Sequence, residues 1–170
     1  MDYLDILLEA NEVIQYRLEE GTNALLDWFE RKLVEIENKL SDAALKVKKA
    51  LLRKKEAVEK SSGDILKVDL TISVGGKKRK IADKGTSKSG AISKLRSEMN
   101  STLSSIRTKG REAIGVCKAA IGILKAAKKV KPENIEKVAS KKDKVMDALN
   151  IIGKLAGILA SLVSIYVALS

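Results

Sequence analysis

The side chains that most often do chemistry in proteins are scarce in this sequence. No histidine occurs among the 170 residues, and Cys117 is the single cysteine. Without histidine there is no common general base, no preferred nitrogen ligand for a metal, and no Ser-His or Cys-His pair. Catalysis would fall to carboxylates or lysines alone, and one cysteine with carboxylates matches none of the usual zinc sets. Cys117 lies between Val116 and Lys118 on an apolar stretch, where a lone thiol reads as a small core residue. It also leaves no intrachain disulfide to form. The run Lys84-Gly-Thr-Ser-Lys-Ser-Gly90 has the composition of a phosphate loop but not its order, because no Gly-Lys-Ser/Thr follows four residues after a first glycine. A protein that is not an enzyme is therefore expected, with no metal, cofactor or small-molecule substrate.

Charge is the chemistry that remains. The formal net charge is +11, yet residues 1–40 hold ten acids and four bases while the rest hold twelve and twenty-nine. A basic body of this kind is drawn to phosphates or anionic lipid, the alternative being solvated lysine-rich helix faces. The acidic head also complements the basic body of a neighbouring copy, which favours a homo-oligomer. Lys77, Lys78, Arg79 and Lys80 form the densest cationic cluster, placed to contact nucleic-acid phosphates or lipid headgroups, or else a solvated turn. No aromatic residue accompanies it, so base stacking has no support. Ala113 to Lys129 places lysines at 118, 125, 128 and 129 among small and aliphatic residues, a composition shared with peptides that lie on membranes.

Hydrophobic periodicity predicts the elements that carry these groups. Leu4, Leu7, Leu8, Ile14 and Leu18 suggest a short acidic helix over 1–21, ended by Gly21, with Thr22 capping the next. Leu26, Phe29, Leu33, Ile36, Leu40, Ala43, Val47 and Ala50 then step by three and four, a coiled-coil rhythm over 22–62. It implies a helix of roughly 40 residues, about 60 Å long. Trp28 and Phe29 sit near its start as core or interface anchors. After Ser61-Ser62-Gly63 the period changes to two, with Leu66, Val68, Leu70, Ile72 and Val74 alternating with polar residues. A β-hairpin over 64–83 turns at Gly75-Gly76, and 84–90 reads as a linker. Because an isolated hairpin is marginal, its strand with Val68, Leu70, Ile72 and Val74 is expected to lie on the helices or to pair with another molecule as an assembly element.

Residues 91–170 read as an antiparallel helical hairpin. Ile92, Leu95, Met99, Leu103, Ile106 and Ala113 suit packing on the preceding long helix. Further on, Gly115, Ala119, Gly122 and Ala126 form a small-residue strip, as do Gly153, Gly157, Ala160 and Ser164. Strips of this spacing let two helices approach closely. Pairing Gly115 with Ser164 and Ala126 with Gly153 centres the turn near Ala139-Ser140, whereas Pro132-Glu133 as a helix start puts it near Val130-Lys131 with the strips offset. Residues 151–170 contain only Lys154 as a charge and are long enough to span hydrocarbon, or to be a buried bundle helix. The N-terminus lacks the pattern of a secretory signal, so synthesis in the cytoplasm is expected, with a virion or membrane as possible destinations.

The sequence thus predicts one mainly α domain, an elongated antiparallel bundle of three long helices with a short N-terminal helix and one hairpin insertion. The function expected first is a self-assembling coat or scaffold protein, such as a viral capsid or nucleocapsid subunit. A membrane-active or tail-anchored helical protein and a basic nucleic-acid packaging protein are the alternatives.

Overall fold

The computed structural model describes Ile6 and residues 18–74, 77–131, 133–163 and 167–168. Among the described residues, three long helices and one small sheet follow in the order α1 (Leu18–Lys60), β1 (Leu70–Val74), β2 (Lys77–Ala82), α2 (Lys88–Lys129), α3 (Ile135–Val163) and β3 (Val167–Ala168). The mainly helical class and the hairpin insertion are as expected. Of the short N-terminal helix only Ile6, helical and buried, is described; the rest of 1–17 and the Gly75-Gly76 turn lie outside the described residues.

Two helix boundaries depart from expectation, each for a local reason, and a third settles between two expected positions. The predicted stop at Gly21 is instead continuous helix, with Gly21 and Thr22 both buried; burial of the face outweighs the roughly 1 kcal/mol that a helical glycine costs. The predicted linker 84–90 is shorter, since α2 already begins at Lys88. Ser87 caps it, its hydroxyl accepting from the Gly90 amide at 3.1 Å, which is the N-cap bond that satisfies an otherwise orphaned donor. The last turn lies at 130–134, near the expected Val130-Lys131 position and not near Ala139-Ser140. Asn134 caps α3 by accepting from the Lys137 amide at 2.8 Å. At the other end of α1, the chain leaves the helix through Gly63, whose φ of 85° only glycine adopts cheaply.

Two compact units divide the chain: Met1–Asn38 with Lys109–Ala160, and Lys39–Thr108 with Ser161–Ser170. In the first, α1 supplies the bulk and α2 the small residues. Leu25, Trp28, Phe29 and Ile36 are buried on α1, Ala113, Cys117, Ala120, Leu124 and Ala127 on α2, and Val145, Ala148, Ile152 and Leu155 on α3. Each helix buries positions three and four apart, the stripe an amphipathic helix must cover. The Trp28 and Phe29 rings meet edge to face with centroids 5.0 Å apart, and the Lys32 ammonium lies 5.4 Å from the indole centroid and 3.1 Å from Glu35.

Lys141 occupies a core position of α3 and is 1% exposed. Its ammonium reaches the Val130 carbonyl at 3.4 Å and Glu19 at 3.7 Å. Glu19 itself stays exposed, so the pairing compensates only part of the lysine's desolvation. Lys141→Met is accordingly expected to leave stability unchanged or raise it by about 1–2 kcal/mol, checked by urea unfolding; a loss above about 1 kcal/mol would show the ion pair to be a net stabiliser.

In the second unit one core cluster joins Ala43, Val47, Leu51 and Val58 of α1, Leu66, Leu70, Ile72 and Ala82 of the hairpin region, Ala91, Leu95 and Ile106 of α2, and Leu162 of α3. Leu40, Ile92, Met99 and Leu103 pack on it half-buried. The long-helix rhythm read from the sequence is therefore the buried one. The sheet order is β2-β1-β3: β1 pairs along its length with β2, and at Ser73 and Val74 with Ala168 and Val167 of β3. The hairpin lies on the helices through Leu70, Ile72 and Ala82, and its third strand comes from this chain's own C-terminal segment.

Candidate anion-binding surface

Cys117 is 0% exposed, and burial pushes its thiol from 9.0 up to about 11, with the Lys32 charge pulling weakly the other way. A buried, protonated thiol is inert. The folded value lies above the unfolded one, so this contribution to stability is fully present below pH 9 and is lost as pH rises towards 11. The loss should amount to about 2–3 kcal/mol. Cys117→Ala should remove that component of alkaline destabilisation, read from urea midpoints between these limits; an unchanged profile would assign the loss to other groups. Among the described residues no group of three or more Cys, Asp or Glu could hold a metal ion.

The hairpin insertion is longer than its strands. Leu66 donates to the Thr86 carbonyl at 2.8 Å, Gly85 to Leu66 at 2.9 Å and Lys88 to Asp64 at 2.9 Å, with a bridge between Ile65 and Ser87. The ladder thus begins where α1 ends and closes where α2 starts. Asp69 ties the middle by accepting from the Lys84 amide at 2.7 Å. Leu70 faces Ala82, both buried, and the register then shifts so that Thr71 faces Lys80, Ile72 faces Arg79 and Ser73 faces Lys78. A bulge of this kind re-aims the side chains that follow it. Strand alternation then sends Arg79 to the core side with Ile72, and sends Lys78 and Lys80 to the outer face with Thr71 and Ser73.

This arrangement splits the predicted cationic cluster. Lys77, Lys78, Arg79 and Lys80 are all exposed, but Arg79 reaches Glu98 of α2 at 2.9 Å and so fastens the hairpin to the helix. Lys80 pairs with Asp83 at 2.7 Å. The hydrogen bond between them and their opposite charges raise the pKa of Lys80 and lower that of Asp83. Lys77 and Lys78 show no ion pair among the described residues. Of the expected assembly strand, Leu70 and Ile72 are core, Val68 is 73% exposed, and Val74 is placed by its backbone pairing with Lys77 and Val167.

The small-residue strips are not where the helices pack. Gly115, Ala119, Gly122 and Ala126 are exposed, as are Gly157 and Ala160; Gly153 is half-buried. Ser164 lies outside the described residues. A methyl group at Gly115, Gly122 or Gly157 would meet no neighbouring element within 4 Å. The buried stripe of α2 runs instead through Ala113, Cys117, Ala120, Leu124 and Ala127. Burying the predicted strip would have removed only glycine and alanine from water. It would also have drawn in the exposed Lys118, Lys125 and Lys129 that share its face, a desolvation cost with no apolar gain to set against it.

The fold also redistributes charge in a way the linear sequence does not show. Met1–Asn38 with Lys109–Ala160 contain fifteen basic and fifteen acidic residues, so the first unit is neutral. Lys39–Thr108 with Ser161–Ser170 contain eighteen basic and seven acidic residues, and this second unit carries the whole +11. The acidic residues of Met1–Asn38 are thus balanced in number by the basic residues of the segment that shares their unit. The linear division at residue 40 missed this because the counterpart lies at 109–160, contiguous in sequence with the basic body but not in the fold.

The helical stretch Ile135–Leu162 contains an 18-residue window of mean hydropathy 1.5, long and apolar enough to cross a membrane, although 39% of that window is buried inside the protein. Its exposed positions include Ile135, Val138 and Met146 as well as Asn150, Lys154, Gly157 and Ala160.

No protein-family model, curated protein or solved structure matches this chain.

Proposed function

We propose that this chain is a non-enzymatic docking protein whose basic unit binds an extended polyanionic surface while the neutral helical unit supports it. The observation that carries this reading is the confinement of the entire net charge of +11 to Lys39–Thr108 with Ser161–Ser170. Such a field attracts phosphate-bearing surfaces and releases their counterions on contact. Retention on an immobilised polyanion such as heparin should therefore be strong at low salt and fall steeply as salt rises. Flow-through at low salt would refute the reading.

A second reading, the self-assembling coat or scaffold protein, is supported by the outward position of the Gly115, Ala119, Gly122 and Ala126 strip, where a helix of another copy has room to approach. The elongated bundle with its short N-terminal helix belongs to this reading. Two features weigh against assembly through the hairpin: β1 already has partners on both sides, and β2 presents lysines along the outer edge, a device that repels a second copy of the same strand. Sedimentation of the chain and of Gly122→Leu tests the helix-face version: a wild-type oligomer dissociated by the leucine supports it, and a wild-type monomer ends it.

A further inference from the structure

Resting on the polyanion reading, we infer that the surface bound is an anionic lipid bilayer, met peripherally by the insertion that joins α1 to α2. That insertion carries Ile65, 54% exposed, and Val68, 73% exposed, on either side of the buried Leu66 and the exposed Lys67. Lys77, Lys78 and Lys84 are exposed on its return arm. Branched aliphatic side chains held in water beside ammonium groups gain nothing from a nucleic-acid backbone, which offers phosphate and sugar. A bilayer offers both, phosphates for the ammoniums and acyl chains for the aliphatics. The outer sheet face, with the hydroxyls of Thr71 and Ser73 beside Lys78 and Lys80, adds hydrogen-bond donors at headgroup depth.

Residues 39–108 contain no aromatic side chain, so this part of the unit has no platform on which a base could stack. The contact is peripheral rather than spanning because the C-terminal segment is in use: Leu162 is part of the core cluster, and Val167–Ala168 pair with β1. A chain whose residues 151–170 crossed the bilayer would forfeit both.

Flotation of the full chain with phosphatidylcholine vesicles, with and without phosphatidylserine, tests the inference, alongside binding to a duplex DNA of arbitrary sequence. The wild type is expected to float with the anionic vesicles only. Ile65→Ser with Val68→Ser should weaken that partitioning roughly tenfold or more while leaving any DNA binding unchanged. Both side chains point to solvent, and a thermal melt confirms that the double variant folds. Lys77→Glu with Lys78→Glu should abolish flotation. If the wild type binds neither vesicles nor DNA, the polyanion reading itself fails. If it binds DNA but not vesicles, or if the serine variant floats as well as the wild type, the bilayer inference is overturned and the polyanion reading survives.

Discussion

Reversing three charges on the insertion, Lys77→Glu, Lys78→Glu and Lys84→Glu together, is expected to weaken binding to an anionic surface by a hundredfold or more. Each lysine near such a surface contributes about 1 kcal/mol, and reversal replaces attraction with repulsion. All three side chains are exposed and none is a core residue, so stability should stay within about 0.5 kcal/mol of wild type. Arg79 is the informative contrast. Its guanidinium is committed to Glu98, a buried acid on α2, so Arg79→Ala strips a partly buried carboxylate of its partner and should act on stability as well as binding. Titrating both variants against anionic vesicles, with urea unfolding alongside, separates the two roles. Equal binding losses with no stability difference would show that Arg79 is one more surface cation.

Phe29→Ala should be the most damaging single change to the fold, at about 3–5 kcal/mol. Phe29 is 0% exposed and stacks edge to face on Trp28, whose ring in turn carries Lys32. The buried residues of α2 in the same unit include the small Ala113, Cys117 and Ala120. Side chains of that size cannot move to fill the space a phenyl ring leaves, so the cavity persists and the upper part of the range applies. The chain has five aromatic residues, which leaves little alternative bulk for repacking. Chemical denaturation measures this loss directly. A cost under about 1 kcal/mol would mean that the first unit collapses around the gap and that its core is not close-packed.

The parts of this structure that were legible in the sequence are those in which hydrophobic gain alone chooses the answer. Ile36, Ala43, Val47 and Ala50 bury as their three-and-four spacing requires, and the period-two run through Leu70 and Ile72 becomes a strand. Where small residues dominate, that signal vanishes. On α2 the choice between the strip of Gly115 and Ala119 and the stripe of Ala113 and Cys117 turns on a single leucine, Leu124, and on lysines that resist burial. A rule developed for helices in lipid selects the wrong face there. Punctuation misled for a related reason: Gly21 ends a helix only when nothing is gained by continuing, and here a buried face continues.

The candidate surface was half visible. A run of four cations at 77–80 is evident in any reading, but its division between fastening and presentation depends on a bulge between Leu70 and Thr71, which alternation alone does not announce. The period-two pattern puts Val68 on one apolar strand face with Leu66 and passes over Ile65, because the sequence has no way to show that Leu66 enters the core while Ile65 and Val68 stay exposed. Charge was misjudged most, since net charge along a chain is not net charge in space. The acidic head looked like a handle for other molecules until the fold placed it in one unit with residues 109–160.

The measurement that bears most directly on the central claim is amide hydrogen exchange of the full chain with and without a saturating polyanion. Protection gained across 64–88, with none across the lysine-bearing face of 115–129, is the predicted outcome, because the first unit is neutral and the second holds the charge. Protection confined to 115–129, or spread evenly over both units, would contradict the account and return function to the helix faces.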